Sequence, residues 1–281
     1  MSARQLASGL GFTEGPLVLP DGGIVFCDGT QGTLLLYDGV RVSEYARASG
    51  GPNGTALGAD GEVYVARMGS WAPDDDEGLA GAIVRVRPSG EVEHLFSDIA
   101  GIPLLAPNDV AFGPDGRLYF TDSGSGDHTA PTSPGRIFAV SEQGSELLLE
   151  LAPVYPNGIA FDPEGRLLWT ETYTRRIFRL EDSGPRLLHQ LPEDYLPDGM
   201  AVAADGRIYV ATVTSRGITV VSAEGERLDH LEIGLLPTNC AFRGGALVVT
   251  AVVDLSGKPG TGTLCEIETD AEPLVLWPGR L

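Results

Sequence analysis

Short apolar runs alternate with polar turns along the whole 281-residue chain, and the runs recur in groups. The stretch GIAFDPEGRLLWTET reads as an apolar run, a Pro-Glu-Gly turn and an alternating run; RRIFRLE and PRLLHQL follow. DVAFGPDGRLYFTDS, MAVAADGRIYVATV, TALGADGEVYVARM and LVLPDGGIVFCDG repeat the design. Asp-Gly between two β-rich runs is a strong hairpin signal. No stretch sustains a helical period. Four strands per unit, at a period of about 40 to 50 residues, is the signature of a β-propeller blade.

Each unit opens on one turn. GPNGTAL, APNDVAF, YPNGIAF and LPDGMAV are close copies, and LPTNCAF and FTEGPLV are looser ones. Their central residues are Asn53, Asn108, Asn157, Asp198, Asn239 and Glu14. From Glu14 onward the steps between them are 39, 55, 49, 41 and 41 residues. Six units therefore fill the chain. The expected fold is all-β: one six-bladed β-propeller domain over residues 1–281, with four antiparallel strands per blade. Two segments compete to close the ring, ARQLASGL before Glu14 and AEPLVLWPG near the other end.

In a propeller the first strand of each blade lines the central channel. A turn just before that strand places one side chain per blade at the channel mouth. One Pro-Asn-Gly turn is ordinary backbone chemistry, but here all six blades offer a side-chain oxygen, two of them from carboxylates. Such hard donors suit Ca²⁺ first, then Mg²⁺ or Mn²⁺. Hairpin geometry brings a second set to the same face, fourteen residues on: Asp28, Arg67, Asp122, Glu171 and Thr212, with Thr250 the nearest match in the last unit. These are candidates for support groups or substrate contacts. Two polar insertions, WAPDDDEGLAG and GSGDHTAPTSPG, are candidate covers for the mouth, and His128 lies on the second of them.

Composition narrows the partners. The formal net charge of −20 repels phosphate backbones and anionic lipid, which argues against nucleic-acid and membrane-surface roles and leaves a small molecule as the expected partner. The 38 Gly and 20 Pro fall between apolar runs, so they mark tight turns rather than disorder. Cys27, Cys240 and Cys265 sit in apolar runs without metal-site spacing and read as buried free thiols. The first residues lack the apolar core of a signal peptide, and no apolar run has membrane-spanning length. The expectation is a cytoplasmic monomer or weak homodimer.

With FTEGP, PND before PDGRLYFTDS, YPNGIAFDPEG with WTETYTRRI, and LPDGMAVAADGRIYVAT, the chain resembles the senescence marker protein/gluconolactonase/luciferin-regenerating enzyme family over essentially its whole length. The resemblance implies a six-bladed propeller with one divalent cation at the channel mouth, Ca²⁺ before Mg²⁺, Mn²⁺ or Zn²⁺. It implies Glu14, Asn157 and Asp198 as metal ligands, Asn108 as a ligand or substrate clamp, and Asn53 as a support or substrate contact. The implied activity is hydrolysis of a lactone by water attack on a polarised carbonyl. Asp198 is the first choice of general base and Glu171 the second, with Asp122 a further substrate contact. Sugar lactonases of this kind carry an Arg two residues before the Asn of PND. Here that position is Ala106, which points to a less polar substrate. Ester or phosphotriester hydrolysis, another metal-assisted biosynthetic reaction, or a non-catalytic binding propeller held by a metal are the alternatives.

Overall fold

The computed structural model describes residues 3–69, 79–124 and 132–281. Among them every regular element is a strand, arranged as six four-stranded antiparallel sheets and one small two-stranded one. The expected six-bladed propeller is the observed fold. Blade 3 shows the pattern: Pro107–Phe112 lies innermost, then Leu118–Asp122, Arg136–Ser141 and Gly144–Glu150 outermost. The second strands Ile24–Asp28, Leu118–Asp122 and Leu167–Glu171 are buried along their full length. Neighbouring blades cover both of their faces, which is why each is apolar on both faces up to its mouth-side end, where Asp28, Thr121 and Asp122, and Thr170 and Glu171 stand. The outermost strands face solvent, and Arg227–Glu232 is correspondingly polar.

Cohesion comes from the seams between blades. Leu17, Val25 and Leu34 of blade 1 pack on Val63, Val65 and Val84 of blade 2. Ile137 of blade 3 meets Trp169 of blade 4, whose indole stacks on Phe178 at 5.2 Å between centroids. Cys27, Cys240 and Cys265 are buried free thiols.

The ring closes through its first strand. Arg4–Leu10 pairs with Gly262–Glu268 and completes blade 6, whose other strands are Ala246–Val252 and Leu236–Arg243. The other candidate segment does something different. After Glu268 the chain crosses the face of the channel opposite the mouth. The Ala204 N–H donates to Glu272 O, Trp277 stands edge-on to Phe161 at 5.9 Å, and the Ala59 N–H donates to Gly279 O. Pro273 and Pro278 lack the N–H groups that a sheet ladder needs. This strap floors a cavity of about 180 Å³, and Asp109 and Asn239 are among the residues lining that cavity.

Candidate active site and metal centre

The repeated turn proves to be a device for aiming side chains. In blades 2 to 5 the register slips between the turn proline and the third residue after it, as at Pro107/Val110 and Pro156/Ile159. Two residues of the inner strand then oppose one of its partner: Asn108 and Asp109 face Thr121, and Asn157 and Gly158 face Thr170. A β-bulge of this kind twists the strand and re-aims a side chain. The inner strands also converge tightly, since a Cβ on Gly158 would lie 2.6 Å from Asp198 O.

Hydroxyls pin each bulge to its neighbour. Thr121 Oγ1 donates to Asn157 O at 2.6 Å, and Thr170 Oγ1 to Asp198 O at 2.8 Å. Ser123 Oγ donates to Pro156 O, and Thr172 Oγ1 to Pro197 O. Ser123 and Thr172 were not singled out in the sequence; each directly follows a member of the second ring, which was the available signal.

Glu14, Asn108 and Asn157 are buried, while Asp198 keeps an edge open to solvent. Burial drives the Glu14 carboxyl well above its ordinary range, and the neighbouring Asp198 drives it further. Asp198 is raised in the same way by burial and then by Asp109, and the nearby Asn157 side chain opposes the rise. The Asn157 carboxamide donates from Nδ2 to Thr172 Oγ1 at 3.2 Å, which fixes its amino end and leaves its oxygen as the candidate ligand. Asn53 donates from Nδ2 to both O and Oδ1 of Asn108. Asn53 therefore supports Asn108 through its amino end.

The second ring splits by role. Asp122 is fully buried, and its carboxylate accepts the N–H groups of Leu105, Ala106 and Gly124 at 2.9, 2.8 and 3.1 Å. It anchors the loop before Asn108, and these bonds go to backbone N–H groups of the chain. Ala106 is itself buried and held through its N–H by this carboxylate. Asp28 does the same for Gly11 and Gln31. Burial raises the Glu171 carboxyl, while a 2.5 Å hydrogen bond from Thr174 Oγ1 opposes the rise. Thr250 pairs with Asn239 itself, one register step from the position its counterparts hold. His128 and most of both insertions lie outside the described residues.

Among the described residues no three His, Cys, Asp or Glu converge as a metal site. The candidate donor set is instead mixed, two carboxylates with carboxamide oxygens, which is oxygen chemistry for a hard cation. Two adjacent carboxylates, one buried and one half-buried, need counter-charge, and among the described residues no Lys or Arg figures among the groups acting on Glu14 or Asp198. The residues fit a divalent cation. Tyr155, which precedes the blade 4 turn, is buried in the same neighbourhood. Its hydroxyl is pushed up by burial and by the Asp198 charge, so it stays neutral and able to donate.

Comparison with known proteins gives the family and the fold. Residues 12–253 match the model of the SMP-30/Gluconolactonase/LRE-like region. Lactonohydrolase oryL of Aspergillus oryzae is 25% identical over 197 residues, 62% of this chain and 37% of that protein, so the chain spans little more than a third of that relative. A gluconolactonase of Xanthomonas campestris has the same fold, with a TM-score of 0.76 at 23% identity over 95% of this chain and 90% of that one. So does regucalcin of Agrobacterium tumefaciens, a calcium-binding protein, with a TM-score of 0.80 at 20% identity over 99% and 97%.

Proposed function

Because the chain belongs to the SMP-30/Gluconolactonase/LRE-like family, we propose that its channel mouth opens a lactone ring with the help of one divalent cation, Ca²⁺ before Mg²⁺, Mn²⁺ or Zn²⁺. The observation that carries the cation is the pair of neighbouring carboxylates, Glu14 and Asp198, with no Lys or Arg among the described residues that act on them. The lactonohydrolase and gluconolactonase relatives support the reaction class, and the calcium-binding relative supports the ion.

Glu14, Asn157 and Asp198 would hold the ion, with Asn108 as a fourth ligand or as a clamp on the substrate. When bound, the ion supplies Lewis-acid polarisation of the lactone carbonyl. Asp198, which is half-exposed, would take the proton of the attacking water. The water oxygen bonds to the carbonyl carbon, the ring C–O bond breaks, and the departing oxygen takes a proton to give a hydroxy acid. Glu171 is the second choice of base, and its bond from Thr174 makes it the less available one. The substrate is a small molecule less polar than a sugar lactone, with Ala106 at the position where sugar lactonases carry Arg. A cytoplasmic monomer or weak homodimer, with no nucleic-acid or membrane partner, completes the reading.

The test is proton release from a panel of sugar and aliphatic lactones by metal-stripped protein, with and without each cation. Cation-dependent turnover with preference for the aliphatic rings is expected. Bound cation without turnover of any lactone would remove the hydrolase reading and leave a cation-binding propeller.

A further inference from the structure

In five blades the residue two places before the turn residue holds the same structural position. Its carbonyl accepts the N–H of the residue that follows the second strand: Gly29 to Phe12 at 2.8 Å, Met68 to Gly51 at 3.0 Å, Ser123 to Ala106 at 2.9 Å, Thr172 to Tyr155 at 3.1 Å and Val213 to Leu196 at 2.9 Å. Each bond adds a rung to the inner hairpin beyond the turn, on the mouth side. Five blades thus carry an equivalent residue at the lip of the channel, and none of the five is charged. The apolar surface continues outward. Leu105, beside Ala106, is 42% exposed, and Leu255, in the mouth-side loop between Ala246–Val252 and Gly262–Glu268, is 58% exposed.

Tyr155 is held at this lip against its own backbone preference. Its φ of 56° lies in the left-handed region, where a bulky side chain is an outlier. Blade 2 meets the same conformation at the same position with Gly51, at φ 66°, a residue that adopts it freely. Among the described residues the other non-glycine positions with positive φ are Ser49, Ala100, Arg175 and Arg216, so Tyr155 is the one aromatic in the set. A strained aromatic kept where a sister blade uses glycine points from conformation to use. The ring is also fixed from behind: it is buried, and Tyr173 stands edge-on to it at 5.3 Å between centroids. Burial raises the hydroxyl, and the charges of Asp198 on blade 5 and Glu14 on blade 1 add to the rise, as expected of a ring that reaches inward toward the carboxylate pair.

We propose that Phe12, Tyr155 and Leu196 form an apolar collar that receives an alkyl or aryl substituent of the lactone, with Tyr155, backed by Tyr173, as its main wall. The inference rests on the hydrolase reading given above and narrows its substrate class. The ester group would face the oxygen-rich floor of the mouth while the substituent lies against the collar, where each buried methylene adds to binding. A sugar ring would set most of its hydroxyls against side chains that cannot pair them.

The test is the chain-length dependence of kcat/KM in saturating Ca²⁺, measured on γ-butyrolactone, γ-hexanolactone and γ-octanolactone with full-length wild type, Tyr155→Gly, Tyr155→Phe and Leu196→Ser. Thermal melting is the fold check. Wild-type kcat/KM is expected to rise with chain length through KM, by up to about 4-fold per methylene. Tyr155→Gly, a residue that suits the left-handed backbone, should lose about 10-fold more on the octanolactone than on the butyrolactone. Tyr155→Phe should keep the wild-type ratio. Should Tyr155→Gly fail to fold, Leu196→Ser carries the same expectation at a half-buried position of the same collar. A wild type indifferent to chain length, or equal losses on every lactone in the folded variants, would overturn the collar and leave the hydrolase reading standing. A Tyr155→Phe variant that loses the ratio as fully as Tyr155→Gly would overturn the apolar wall in favour of the hydroxyl. No turnover of any lactone by Ca²⁺-loaded wild type would overturn the hydrolase reading and, with it, the lactone as the collar's ligand.

Discussion

Asn53 of blade 2 reaches to the neighbouring blade 3 and donates from one nitrogen to both the main-chain oxygen and Oδ1 of Asn108, at 3.0 and 3.1 Å. Both hydrogens of that nitrogen are committed, so the orientation of the Asn108 carboxamide depends on a neighbour 55 positions away. Asn53→Ala should lower kcat/KM by about 10-fold or more, in the range found when partners that orient a metal ligand are removed. Calorimetry on the same variant divides the possibilities for Asn108. A parallel loss of Ca²⁺ affinity identifies it as a ligand, and a rise in KM at constant Ca²⁺ affinity identifies it as a substrate clamp. Wild-type values of both would show that Asn53 has no positioning role.

Metal removal should make stability depend on pH in a definite sense. Burial raises the Asp109 carboxyl from 3.8 to about 6, and Glu14 and Asp198 shift the same way. The folded state therefore holds protons that the unfolded chain has already lost. Stability in chelator is fully present below about pH 4 and is lost as pH climbs through about 6, on the order of 3 kcal/mol for Asp109 alone. Thermal melts from pH 4 to 8 in chelator should fall across that window. Saturating Ca²⁺ should raise and flatten the curve, because the cation replaces the protons. A melting temperature that rises with pH in chelator would contradict the burial of these three groups.

The two chain segments that compete for ring closure should differ in what their loss does. Arg4–Leu10 pairs along its length with Gly262–Glu268 and carries Leu6 and Leu10 into the seam between blades 6 and 1. Deleting residues 1–10 leaves a three-stranded blade with an open edge, and open edges recruit other chains. Size-exclusion chromatography should show association, and the cooperative melt should be lost. Trp277→Ala in the strap removes a half-buried ring from Phe161. It should cost about 2 kcal/mol, below the 3–5 of a fully buried aromatic, and leave Ca²⁺ affinity unchanged. Equal damage from both changes would mean that the strap is part of the ring closure.

The blades and their turn residues were legible because one physical need recurs: a bulge at the start of the inner strand repeats close copies of one Pro-Asn/Asp turn in blades 2 to 5 and looser ones in blades 1 and 6. Closure was not legible, since ARQLASGL and AEPLVLWPG carry similar alternation, and only the pairing partners of Gly262–Glu268 tell them apart. Asp109 was hidden inside the PND copy of the turn. Its signal was a difference between repeats, a charged side chain in a place that four copies reserve for glycine. Asp122 was legible as a mouth-side carboxylate but not as a loop anchor, because its three donors are backbone N–H groups that no side-chain pattern encodes.

Asp198 carries two roles in the proposed reaction, and one substitution separates them. Asp198→Asn keeps an oxygen ligand of the same shape while removing the basic oxygen. Loss of a positioned base costs about 10²- to 10⁴-fold, so turnover should fall by at least the lower figure. Removing the negative charge also relieves Glu14, whose carboxyl is raised in part by Asp198. The variant should therefore melt higher than wild type in chelator at pH 7, and it should bind Ca²⁺ more weakly, with one charge fewer against the ion. Activity and stability then move in opposite directions, a combination that general unfolding cannot produce. Near-normal turnover with Ca²⁺ still bound would remove Asp198 as the base, and the same experiment on Glu171→Gln would then show whether that carboxylate takes the proton despite its bond from Thr174.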